Sequence, residues 1–62
     1  MTLITLDVTD GLFPSITDQT LRDLITARRT TMLAFMTSTK TKRMSTRIYY
    51  GADEYKIIIQ LP

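Results

Sequence analysis

Met44-Ser45-Thr46-Arg47-Ile48-Tyr49-Tyr50-Gly51-Ala52-Asp53-Glu54-Tyr55-Lys56-Ile57-Ile58-Ile59-Gln60-Leu61 is the stretch that decides the fold. Its first part alternates as a strand must, with Met44, Thr46, Ile48 and Tyr50 on one face and Ser45, Arg47 and Tyr49 on the other. Gly51-Ala52-Asp53-Glu54 carries turn chemistry. Tyr55, Ile57, Ile59 and Leu61 then make a second apolar face, opposed by Lys56, Ile58 and Gln60. The spacing predicts an amphipathic hairpin with strands at 44–50 and 55–61, ended by Pro62. The run from Lys56 to Leu61 is so β-prone that Lys56 and Pro62 read as guards of an exposed sheet edge.

One apolar sheet face needs a second layer, and the sequence supplies it upstream. Leu21, Leu24, Ile25, Arg28, Met32, Phe35 and Met36 follow helical spacing, so a helix is expected over residues 16–37. Ser15 and Thr17 compete as its N-cap, with Asp18 in the first turn, four residues before Arg22. At the far end Thr37-Ser38-Thr39-Lys40-Thr41-Lys42 turns polar without a capping glycine. A rival reading ends the helix at Arg29 and makes residues 31–37 a strand, because Thr30-Thr31 is a β-branched pair. Met, Leu and Ala dominate that run and no turn residue interrupts it, which favours the helix.

Residues 2–9 alternate again, with Ile4, Leu6 and Val8 opposite Leu3, Thr5 and Asp7. Asp10-Gly11 stops this strand and Pro14 leads into the helix start. The expected fold is therefore α+β, a single domain over residues 1–62: β-α-β-β, with a three-stranded antiparallel sheet packed on one helix. The alternative is β-α-β-β-β, with residues 31–37 as the added strand.

The chain has no Cys, His, Trp or Asn. That excludes disulfides, thiolate nucleophiles, Cys/His zinc sites, imidazole acid–base catalysis and N-glycosylation. Ser15, Ser38 and Ser45 have no His to activate them, and the only glycines, Gly11 and Gly51, make no phosphate loop. Asp7, Asp10, Asp53 and Glu54 read as turn and solvation residues; Asp7 to Gly11 lacks the ligand alternation of a calcium loop. No enzymatic activity, cofactor, metal or small-molecule substrate is expected. The longest apolar run, Met32 to Met36, is five residues, whereas a helical membrane span needs about 20. The first residues lack the basic flank and apolar stretch of a secretory signal, so the expected setting is the cytoplasm, or a virion if the chain is phage-encoded.

The net charge of +2 hides a pattern. Asp7, Asp10, Asp18 and Asp23 outweigh Arg22 in the first third, and Asp53 and Glu54 outweigh Lys56 in the last. Between them residues 24–47 carry Arg28, Arg29, Lys40, Lys42, Arg43 and Arg47 and contain no acid. Lys40, Lys42, Arg43 and Arg47, interleaved with hydroxyls and joined by Lys56 on the hairpin, are the candidate contacts to nucleic acid or another anion.

A chain of this length buries about 60% of its unfolded surface and nets about 3–5 kcal/mol. Several apolar groups nevertheless lack an inward position: Tyr49 and Ile58 on the outer hairpin face, Leu33 off the helical stripe, and Leu12-Phe13 in a loop. Arg28 and Arg29 interrupt the stripe, either as long stems covering the core or as interface anchors. The candidate protein interface is Tyr49, Ile58, Arg28, Arg29 and Leu33. The function expected is that of a small interaction or structural protein that associates with itself or docks on a larger complex, a virion component or host-takeover factor if phage-encoded. The alternatives are a nucleic-acid-binding regulator using residues 40–47 and the hairpin face, and a protein inhibitor of another enzyme.

Overall fold

The computed structural model describes residues 2–62. Strand β1 is Thr2–Asp7, helix α1 Gln19–Thr39, strand β2 Arg43–Tyr50 and strand β3 Asp53–Gln60, so the β-α-β-β order holds. Residues 31–37 lie inside α1 and form no strand. The hairpin pairs β2 with β3 antiparallel, Ile48 opposite Tyr55 and Met44 opposite Ile59.

The sheet is mixed, not wholly antiparallel. Its order is β1-β3-β2, and β1 runs parallel to β3, Ile4 beside Tyr55 and Leu6 beside Ile57. The reason lies in residues 8–18. β1 ends beside Ile58 and β2 begins beside Gln60, so both meet one end of the sheet. The start of α1 is held at the opposite end, where the Tyr50 hydroxyl donates to Asp18 Oδ2 at 2.7 Å. Residues 8–18 therefore travel back along the sheet, α1 runs in the same direction as β1, and the hairpin inserts its second strand in the middle.

That insertion puts the most apolar strand in the centre. Ile57 and Ile59 are fully buried, so the run from Lys56 is the heart of the sheet, and the edges are β1 and β2. Lys56 guards no edge; it stands on the outer face between Thr5 and Arg47. On the inner face, Ile48, Tyr55, Ile57 and Ile59 meet Leu21, Ile25, Met32 and Met36 of α1, with Val8, Phe13 and Ile16 closing the side.

Both helix ends depart from expectation. The N-cap is Asp18, not Ser15 or Thr17; its Oδ1 accepts from the backbone N–H of Thr20 at 2.9 Å and Leu21 at 3.2 Å. The Arg22 side chain does not pair with the Asp18 carboxylate and donates instead to the carbonyls of Ile16 at 2.7 Å and Phe13 at 3.3 Å, its guanidinium 4.8 Å from the Phe13 ring centre. Phe13 itself is buried in the core, although its loop position gave no inward direction. At the C-terminus Lys40 takes the left-handed conformation (φ 56) that glycine usually supplies, and the N–H groups of Lys40 and Thr41 both reach the Met36 carbonyl. Lys40→Gly is expected to stabilise the chain by about 0.5–1 kcal/mol, because relief of the left-handed strain exceeds the added chain entropy. A denaturant melt reads the change directly.

Candidate functional site

The side of the sheet turned away from α1 has no covering layer among the described residues. Pairing places Leu3, Glu54 and Tyr49 in one row across it, Thr5, Lys56 and Arg47 in the next, and Asp7, Ile58 and Ser45 in the third. Arg43 extends the surface opposite Gln60. Arg43, Arg47 and Lys56, drawn from two separate stretches of sequence, therefore converge on one face. Lys42 precedes β2 directly, its carbonyl accepting from Leu61 N–H at 2.7 Å. Lys40 sits apart at the helix cap.

One acid is set into this face. Glu54 is buried, flanked by Leu3 and Tyr49, and its Oε1 accepts from Arg47 Nη1 at 2.6 Å. This is the one ion pair among the described residues. Arg47 also lies directly opposite Lys56, and like charges in that relation repel. Glu54 offsets part of the repulsion from the adjoining row. Arg43 and Lys56 have no acidic partner among the described residues.

The five candidate interface residues do not form one surface. Tyr49 is exposed and Ile58 half-buried on the outer sheet face, whereas Arg28, Arg29 and Leu33 belong to the helix layer. Leu33 packs against the core. Arg28 is exposed, with Nη1 3.5 Å from Thr46 Oγ1. Arg29 turns inward: Nε donates to the Val8 carbonyl at 2.7 Å and Nη2 to the Thr9 carbonyl at 2.9 Å.

Other exposed groups escape a reading of the sequence. Leu24 and Phe35 fall on the apolar helical stripe, yet both are exposed; eleven residues apart, they lie nearly in line on one flank of α1, beside the buried residues. The inward direction is set by Leu21, Ile25, Met32 and Met36, a narrower stripe than the apolar positions suggest. Leu3 and Leu12 are exposed as well.

Two carboxylates are shifted by their neighbours. The hydroxyl of Thr9 donates to Asp7 Oδ1 at 2.6 Å, and this bond, with one from the Thr9 N–H, lowers the Asp7 pKa below 3.8. Thr9 Oγ1 also accepts from Gln60 N–H at 3.0 Å, tying the end of β1 to the end of β3. The Tyr50 hydroxyl lowers Asp18 below 3.8, and the Asp18 carboxylate in turn raises Tyr50 above 10.0. The Asp18–Tyr50 tie thus stabilises the fold between those limits. It is lost as pH falls through the depressed Asp18 value and as pH rises through the elevated Tyr50 value. The difference in melting temperature between the wild type and Tyr50→Phe is expected to be largest between about pH 4 and 10 and to shrink at both extremes.

Among the described residues no group of three or more Asp or Glu could hold a metal ion, and no cavity encloses space for a small molecule. No helix of the described residues is long and apolar enough to cross a membrane. Comparison with protein-family models, with curated proteins and with solved structures returns no match.

Proposed function

We propose that this chain is a small non-enzymatic interaction protein that works by associating with protein surfaces. The observation that carries the reading is the distribution of its apolar side chains. Among the described residues the core holds eleven buried hydrophobic side chains, while Leu3, Leu12, Leu24, Phe35 and Tyr49 each leave between 44% and 70% of their surface exposed. Scattered surface apolars are normal on a large domain. Here they are nearly half as numerous as the core, and they occur on both layers of a two-layer fold. Burying any group of them against another chain adds apolar packing that a core this small cannot supply alone.

Sedimentation of the purified chain from micromolar to millimolar concentration tests the reading, with cross-linking of the native protein in the cell that makes it. Association that persists or strengthens with added salt is expected, since apolar contacts are not screened. A species of 7.1 kDa at every concentration, with no cross-linked protein partner, overturns it.

A second reading is favoured by one specific observation, the meeting of Arg43, Arg47 and Lys56 on the open sheet face beside Tyr49. A polyanion laid there would relieve the Arg47–Lys56 repulsion, and Tyr49 offers a ring for base stacking. On this reading the paired substitution Lys42→Ala and Arg43→Ala weakens binding of single-stranded nucleic acid. It also flattens the salt dependence by about one unit of slope for each phosphate no longer neutralised. No binding of DNA or RNA by the wild type at low salt eliminates it.

A further inference from the structure

We propose that two copies of the chain join through β1, pairing antiparallel about a two-fold axis at Thr5 so that two three-stranded sheets become one sheet of six. The inference rests on the reading of the chain as an association protein, and it names the partner and the edge.

Val8 N–H donates to the Ile58 carbonyl at 2.9 Å, one step beyond the β1–β3 register. In a parallel ladder the residues of one parity turn both backbone groups to the same neighbour. Val8, Leu6 and Ile4 therefore face β3, and Leu3, Thr5 and Asp7 turn their N–H and C=O groups to the outer edge. No strand among the described residues pairs there.

The two edges of the sheet are guarded very differently. β2 carries Arg43 and Arg47. β1 has no charge from Thr2 to Leu6, no proline and no glycine, and its sequence Thr-Leu-Ile-Thr-Leu is strongly β-prone. Natural sheets blunt an edge that stays in water, so an unblunted one of this composition is built to be paired.

The occupant follows from self-complementarity. A two-fold axis at Thr5 sets Thr5 opposite its copy and Leu3 opposite the copy's Asp7, all with outward backbone groups, so each such pair exchanges both hydrogen bonds. The same register puts Ile4 opposite Leu6 on the inner face. Both are half-buried and packed against the core of their own chain, so the seam would join two cores into one. Threonine opposite threonine is itself a favourable cross-strand pair. The helices do not obstruct this arrangement, because α1 packs over β2 and β3 and stands away from β1.

Sedimentation velocity of the full chain and two variants is the test. The wild type is expected at the mass of two chains in the micromolar to millimolar range. Thr5→Pro removes one outward N–H and no bond to β3, so the monomer keeps its ladder while the dimer weakens at least tenfold. Thr5→Glu sets a carboxylate beside Lys56 of its own chain, which supports the monomer, but brings two carboxylates together at the axis. It is expected to dissociate the dimer most strongly at low salt, with unchanged circular dichroism. If Thr5→Pro proves unfolded, Thr5→Glu alone decides. A dimer that survives Thr5→Glu overturns β1 pairing while self-association stands. A wild type that stays monomeric throughout overturns β1 pairing, whatever other protein it binds.

Discussion

Ile57→Ala is expected to leave the chain largely unfolded at room temperature. Ile57 is fully buried in the central strand, between Leu6 of β1 and Thr46 of β2 and beneath the helix layer. Truncating a fully buried isoleucine costs about 2–5 kcal/mol, from forfeited transfer free energy and the cavity left behind. A chain of this size has about 3–5 kcal/mol to lose. The adjacent residue provides the control. Ile58 is the same residue type, one step along the same strand, but it points to the open face and is half-buried. Ile58→Ala is expected to remove less than about 1.5 kcal/mol. Urea melts followed by circular dichroism should show a folded Ile58→Ala and a non-cooperative, shallow curve for Ile57→Ala. Equal and large losses at the two positions would mean that the outer sheet face is covered in solution.

The contrast between Ile57 and Ile58 also marks what sequence periodicity can and cannot reveal. Alternation separates the two faces of each hairpin strand correctly, because side chains two apart share a face whatever lies beyond them. It carries no information on which neighbour each strand takes. The mixed sheet arises from the return path of residues 8–18, and that path is anchored by contacts outside any single periodic element: Tyr50 to Asp18 and Arg29 to Val8 and Thr9, twenty or more residues apart, and Arg22 back to Phe13 and Ile16. The same dependence explains the helix start. Ser15, Thr17 and Asp18 are all capping types; in the fold Asp18 caps Thr20 and Leu21 with one carboxylate oxygen, and the other accepts from the distant Tyr50 hydroxyl, a contact no local pattern reveals. Phe13 and Phe35 exchange their expected roles for the same reason. A ring in a loop joins the core, with the Arg22 guanidinium over it, and a ring on the helix is left outside by a core set through Met32 and Met36. The basic residues are legible one by one, but their convergence on one sheet face needs the register of β2 against β3.

Arg29→Met is expected to lower the melting temperature sharply, while Arg28→Met leaves it almost unchanged. In the sequence the two arginines are indistinguishable interruptions of one helical stripe. In the fold Arg29 continues the inward line of Leu21 and Ile25, and its guanidinium passes the core edge to reach the Val8 and Thr9 carbonyls at the point where the chain leaves β1. Gly11 lies under that head: a Cβ there would come within 3.3 Å of Arg29 Cζ, at a residue whose φ of +73 already favours glycine. The Val8 carbonyl keeps a second partner in Gly11 N–H, but the Thr9 carbonyl has no other donor among the described residues. Methionine preserves the apolar stem and removes both charge-assisted bonds, a loss of about 1.5–3 kcal/mol. At roughly 4–8 °C per kcal/mol for a domain of this size, the melting temperature falls by on the order of 10–20 °C. Arg28 makes only the 3.5 Å approach to Thr46 Oγ1 at an exposed position, so its replacement stays within about 0.5 kcal/mol. Arg29→Lys separates charge from geometry: an ammonium on a flexible stem cannot present two donors in the fixed fork that spans adjacent carbonyls, so most of the loss should remain. Full recovery in Arg29→Lys would show that the positive charge, not the paired hydrogen bonds, holds the returning segment against the helix.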